Sequence, residues 1–181
     1  MEWEKTIRYF FNEIHPHPNP KERDYLIFIL ENASGYYTKH GDGLIRTKSF
    51  KEGFKMKVYL GGAINGCTDS ECNNWRDAAI GMLDKCEIIN PMDRDYRGVE
   101  DIKFKEIVEL DKLDIDNSDV LLVSYLKPSV GTSMEILYAW ERKKPVYLFT
   151  NSSNISPWLR YHSTKIYSSL ESAVSFIKSC E

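Results

Sequence analysis

No stretch of this 181-residue chain is apolar for long enough to cross a membrane; runs of about 18 apolar residues are missing. The opening MEWEKTIRYFF carries Glu2 and Glu4 and lacks the apolar core of a signal peptide. Concentrated positive charge is also missing. The formal charge is -3 and there is no long basic run, so the cationic footprint needed to hold a phosphate backbone is not there. Neither a nucleic acid nor a membrane is therefore expected as a partner. A small anion remains open, because it needs only a few donors at a helix N-terminus. Cysteine is sparse: Cys67, Cys72, Cys86 and Cys180, with no histidine near the first two to complete a zinc set. No metal and no cofactor are expected, and four unpatterned thiols fit a reducing cytoplasm. GxGxxG and GxxxxGK[ST] are both absent, which leaves dinucleotide-fingerprint and P-loop assignments without support.

What is present is an ordinary globular composition, 42% hydrophobic and 28% charged, in two unlike segments. Residues 1–54 read as an accessory segment. Trp3, Ile7, Phe10, Phe11 and Ile14 form a helical stripe, Pro16, Pro18 and Pro20 end it, and a second helix is expected over Lys21–Asn32. YYTKHGDGLIRTKSF then reads as a hairpin turning at Gly41–Gly43. His15 and His17 lie in the proline-rich linker and read as loop residues rather than ligands.

Residues 55–181 alternate strand and helix. Strands are expected at 56–62, 87–90, 119–125, 145–149 and near 164–168. Helices are expected at 70–85, with Ser70 as N-cap, and at 100–117, 132–143 and 170–179. Such alternation with short connections gives an open, mainly parallel five-stranded sheet with helices on both faces, flavodoxin- or Rossmann-like in outline. Ligands of these sheets sit beyond the carboxyl ends of the strands.

The loops at that edge hold the candidate residues. GGAINGC supplies Gly61, Gly62 and Gly66, where backbone can approach a ligand closely. KPSVGTSMEI supplies Ser129, Thr132 and Ser133 with the N–H groups of 130–133, which can hold an anion. Thr132 to Glu135 also fits a capping box. In the functional reading, Glu135 occupies the first helical turn, where the helix dipole keeps it ionised and able to attack an anomeric carbon. In the long helix, Asp111 shares the stripe of Phe104, Ile107, Val108 and Ile115, so a carboxylate is expected among apolar groups, paired or functional. Asp114, Asp116 and Asp119 read as solvated or turn-forming residues. NPMDRDYRG adds Asp93, Arg94, Asp95 and Tyr96 at the same edge.

Taken in order, VYLGGAI, Trp75-Arg76, NPMDRDYRG, ELDKLDIDNSDVLLV, VGTSMEILYAW and NISPW resemble the nucleoside 2-deoxyribosyltransferase family and its relatives, the nucleoside 5'-monophosphate N-glycosidases. The resemblance spans about residues 56–160. It implies that Glu135 is the nucleophile, that Tyr59 orients its carboxylate, and that Asp111 is the aspartate near base and sugar that protonates the leaving base. It further implies substrate contacts from Gly61, Ala63, Ile64, Asn65 and Gly66, from Asp95, and from Ser129, Gly131 and Thr132. Asn154 and Ser156 would come from a neighbouring subunit of a homodimer or higher homo-oligomer with shared sites. Where deoxyribosyltransferases carry an aspartate just before the glycine, this chain has Ser129, as the monophosphate N-glycosidases do, and an acid there would repel phosphate. Asn65 stands where some relatives place an arginine.

The resemblance thus favours hydrolysis of a (deoxy)nucleoside 5'-monophosphate. A deoxyribosyltransferase and a non-catalytic nucleotide-binding module are the alternatives, and cleavage of a dinucleotide such as NAD shares the same carboxylate logic.

Overall fold

The structure, a computed structural model, describes residues 55–180 and the backbone of two short strands before them. The chain divides into two units, Met1–Phe54 and Lys55–Glu181. In the first, β1 (Tyr37–His40) and β2 (Gly43–Arg46) pair antiparallel, from Tyr37 opposite Arg46 to His40 opposite Gly43. This is the hairpin expected from the sequence. The two helices expected before it, with His15 and His17, lie outside the described residues.

The second unit is a parallel five-stranded sheet. Its strands are β3 (Lys57–Gly62), β4 (Glu87–Ile89), β5 (Val120–Ser124), β6 (Val146–Phe149) and β7 (Lys165–Tyr167), in the order β4-β3-β5-β6-β7. Every residue of β5 and β6 is buried, as continuous apolar runs flanked on both faces require. The helices are α1 (Asp69–Met82), α2 (Glu100–Asn117), α3 (Val130–Glu141), α4 (Pro157–His162) and α5 (Leu170–Ser179), with a 3-10 turn at Pro91–Arg94. No helix among the described residues is long and apolar enough to cross a membrane.

Three local readings change. Helix α1 is capped by Thr68 rather than Ser70, because Thr68 and Glu71 form a reciprocal capping box. Helix α3 begins two residues earlier than expected, because the Ser129 hydroxyl accepts from the Thr132 N–H and caps it. Glu135 therefore lies in the second turn, past the free N–H groups, and the expected Thr132–Glu135 box does not form. The stripe assigned to α2 is also wrong. Ile115 is buried, but Phe104 and Val108 are exposed, because only the C-terminal half of α2 turns this face to the sheet.

Strand order places the site. The chain runs from β3 outward to β4, then crosses back to place β5 on the other side of β3. Connections leaving β3 and β5 diverge to opposite faces, opening a crevice at their carboxyl ends. One face of the sheet carries a core of Tyr59, Leu121, Val123, Val146 and Leu148 under Ile115, Ile136, Ala139 and Leu159 from α2, α3 and α4. Burying aliphatic side chains of this size stabilises the fold by about 1.5–3 kcal/mol each. The tyrosine and the two glycines that matter below lie on β3, an interior strand of this sheet, and the glycines end it.

Candidate active site

Side chains alternate along β3, so Tyr59 and Gly61 face α2 and α3 while Gly62 faces α1. The Tyr59 ring is completely buried, and its hydroxyl donates to Glu135 Oε1 at 3.2 Å. The other carboxyl oxygen, Oε2, is sealed from solvent and has no hydrogen-bond partner. It lies over Gly61, where a Cβ would come within 3.3 Å of it. A side chain at position 61 would also press on Val123 and the Tyr59 ring. Glycine here lets the carboxylate sit against the strand.

This carboxyl is not kept ionised by a helix dipole. Burial, reinforced by the charge of Asp111, pushes its pKa up to about 8, against the pull of the Tyr59 hydrogen bond and of Arg76. Burial also raises Tyr59 well above the usual phenol range, and Glu135, Asp111 and Asp114 push the same way. Tyr59 is thus a fixed donor.

Asp111, on α2, is pushed up to about 6, mainly by burial and further by Asp114; the Arg94 guanidinium opposes the rise. Arg94 Nη2 lies 3.4 Å from Asp111 Oδ1 and 2.5 Å from Asp114 Oδ2. Burial works against the Arg94 charge, but Asp114 and Asp111 prevail and its pKa rises. The sequence reading took Asp114 for a solvated residue. The structure makes it the main partner of Arg94, one helical turn below Asp111. Asp116 and Asp119 do serve the surface, pairing with Arg142 and capping the Lys57 N–H.

On the opposite face, Arg76 is fully buried. Its Nη1 donates to Cys72 O at 2.6 Å and its Nη2 to Gly62 O at 3.0 Å, while the guanidinium lies 4.5 Å from the Trp75 ring centre. Trp75 fills the space beside Gly62, where a Cβ would approach its ring to 2.8 Å. Sequence reasoning quoted Trp75 and Arg76 but gave them no role.

The remaining candidates lie around this centre. Ala63 and Ile64 are half-buried and Asn65 and Gly66 exposed, in a loop closed by the Cys67 N–H to Ile64 O bond and by positive φ at Gly66. Lys127, not singled out from the sequence, donates from Nζ to Gly66 O at 2.8 Å and ties this loop to the one after β5. Thr132 is buried, Gly131 exposed, and the Ser133 hydroxyl donates to Ser129 O. Asp95 is exposed and committed to a two-pronged pair with Arg97, which also holds Asp69; these bonds lower its pKa. The structure does not join it to the Tyr59–Glu135–Asp111 centre. Asn154 is exposed, and the Ser156 hydroxyl caps α4 through the Trp158 N–H. Among the described residues no cluster of His, Cys, Asp and Glu is arranged to hold a metal ion. Cys67, Cys72 and Cys180 form no disulfide.

No family model matches the chain, and no curated protein matches it in sequence. Solved structures do. A conserved protein from Enterococcus faecalis V583 matches with a TM-score of 0.53 at 15% identity, over 70% of this chain and 99% of that one. The CMP N-glycosidase BcmB of Clostridium botulinum matches with a TM-score of 0.48 at 17% identity, over 67% and 98%. A 2-deoxyribosyltransferase from Bacillus psychrosaccharolyticus matches with a TM-score of 0.48 at 18% identity, over 65% and 90%. The likeness to the Enterococcus protein shows a shared α/β fold.

Proposed function

We propose that residues 55–181 form an N-glycosidase that hydrolyses the base–sugar bond of a (deoxy)nucleoside 5'-monophosphate, with Glu135 as nucleophile. The observation that carries this reading is the Tyr59–Glu135 pair at the switch point of the sheet. One carboxyl oxygen is held by a buried phenol and the other is unpartnered. An idle carboxyl is costly to bury, so a merely structural glutamate there would be replaced by an apolar residue at little loss.

In the reaction, the Glu135 carboxylate attacks C1' of the sugar as the C1'–N bond breaks. The bonding pair leaves on the base nitrogen, which takes a proton from Asp111. Water then attacks C1' of the glycosyl ester, its proton returning to Asp111, and Glu135 is freed as an anion. The products are a free base and a sugar 5-phosphate. Ser129 favours a phosphorylated substrate, since no acid stands at the head of α3. Lys127, tied to the Gly61–Gly66 loop, provides a cation at the same edge although Asn65 does not.

The enzyme acts as a homodimer or higher homo-oligomer in this reading. Val130 and Met134 on α3, Phe104 and Val108 on α2, and Trp158 and Tyr161 on α4 are all exposed, and exposed apolar side chains of this kind suit a surface that a second copy covers. Light scattering on the full chain reads the assembly directly.

The test of the chemistry is incubation with each ribo- and deoxyribonucleoside and its 5'-monophosphate, with and without a free acceptor base, followed by mass spectrometry. Free base and sugar phosphate are expected, and Glu135→Gln should release neither. Exchange of bases faster than hydrolysis would make the protein a transferase instead, and intact ligand throughout would make it a binding module.

A further inference from the structure

A buried guanidinium normally faces a carboxylate, because removing the charge from water is expensive without one. Arg76 has no such bond: its hydrogen-bond partners are two backbone carbonyls, Cys72 O one turn back on α1 and Gly62 O at the end of β3, and its Nε has none. Across the strand, Glu135 Oε2 is also buried and unpartnered. Two consecutive glycines separate them. Gly62 gives its carbonyl to Arg76 and leaves room for Trp75, while Gly61 leaves room for Oε2. Neither charge touches the other; Arg76 acts on the Glu135 carboxyl from the far side of the strand, less than burial, Asp111 or the Tyr59 bond does.

We propose that Arg76 is a positioning residue that pins the end of β3 to α1 and supplies the buried positive charge against which Glu135 becomes an anion. The inference rests on Glu135 being the nucleophile. The groups acting on the Glu135 carboxyl come from every side. Tyr59 of β3 and Arg76 of α1 favour its charged form, and Asp111 of α2 opposes it. From α4, also packed on α3, Arg160 is bonded to Ile155 O and His162 to Trp158 O. The side chains that β6 turns to this face, Val146 and Leu148, carry no charge. Arg76 is thus the one guanidinium, among the described residues, that acts on Glu135 from behind the strand. Its two carbonyl bonds fix where that charge sits.

The experiment is a titration of the Glu135 carboxyl in the full-length, ligand-free protein carrying carbon-13-labelled glutamate, with Glu135→Gln supplying the assignment. The wild-type midpoint is expected at about 8. In Arg76→Gln it should rise, by about half a pH unit or more, and in Arg76→Lys, which keeps the charge, it should stay near wild type. A midpoint moving by less than about 0.3 unit in folded Arg76→Gln overturns the proposal. If the glutamine variant does not fold, the lysine variant decides alone, since a midpoint raised by about half a unit or more there means that charge at this position does not govern Glu135. The titration needs no turnover. Wild type that titrates as expected but releases no base sinks the hydrolase reading and not the coupling; release with an unmoved midpoint does the reverse.

Discussion

The hydroxyl of Tyr59 donates a 3.2 Å hydrogen bond to Oε1 of Glu135, while Oε2 of the same carboxyl is sealed from solvent and accepts no bond. The asymmetry suits a nucleophile. One oxygen is anchored so that the group cannot rotate away, and no second hydrogen bond ties up the lone pairs of the carboxyl. The anchor is strong because Tyr59 is part of the packed core face and cannot follow a moving carboxyl.

Tyr59→Phe therefore removes one oxygen from a well-filled position and leaves the packing in place. With the hydroxyl gone, the carboxyl loses orientation and the bond that favours its anion. Base release is expected to slow roughly 10–100-fold, with the alkaline limb of the pH profile, the one set mainly by Glu135, displaced to higher pH. Steady-state kinetics across pH reads both effects, and an unchanged limb would show that the bond contributes nothing to ionising Glu135.

The two raised carboxyls also set the shape of that profile. Hydrolysis needs one proton on the Asp111–Glu135 pair; between the two values that proton rests mainly on Glu135, and attack proceeds from the form in which it has passed to Asp111. Below about 6 both are protonated and no nucleophile exists; above about 8 both are ionised and no acid remains. A bell in kcat/KM with limbs near those values and a maximum near neutrality follows, the limbs belonging to the pair rather than to either residue. A profile flat from pH 5 to 9 would remove this pair from the chemistry.

Much of this arrangement is legible in the residues, and the failures have physical causes. Apolar runs such as DVLLVSY and the strand–helix alternation carry the sheet, and the bounds of α2 and α5 follow from their flanking turns. Helix α3 begins early because Ser129, Thr132 and Glu135 offer two overlapping caps, and only tertiary placement of the carboxyl decides between them. Helix α4 was missed although Ser156-Pro157 is a good start, cap followed by proline at the first position. Arg76 carried no role in the sequence and Arg94 only a place among the charged residues at the sheet edge, because a guanidinium in a sequence reads as surface charge. Nothing local says that Gly62 O will lie above one of them or Asp114 beside the other.

The Arg94 clamp gives two substitutions of opposite sign. Arg94→Met removes the cation that holds Asp111 down and should raise the acidic limb of the profile by about half a unit to one unit. Asp114→Asn removes a negative neighbour and releases Arg94 toward Asp111, which should lower the same limb. Profiles of both variants, measured beside wild type, check the pair. An acidic limb that moves in neither variant would mean that Asp111 is governed by burial alone.

The raised carboxyl of Glu135 also makes a stability claim. Its folded pKa of about 8 stands above its ordinary value of 4.5, so the folded protein binds the proton more tightly than the unfolded chain does. Stability is then highest below 4.5 as far as this group is concerned. It falls as pH rises through the window to about 8, where the folded state must bury a charge that water would solvate. Glu135→Gln abolishes that dependence while preserving the volume and a hydrogen-bond acceptor for Tyr59. At pH 9 the variant should melt at least about 3 °C above wild type; near pH 5 the gap should close. A catalytic group kept at a cost to stability behaves this way, whereas a structural glutamate would leave the variant less stable at every pH. Melting curves of the two proteins at both pH values separate the cases.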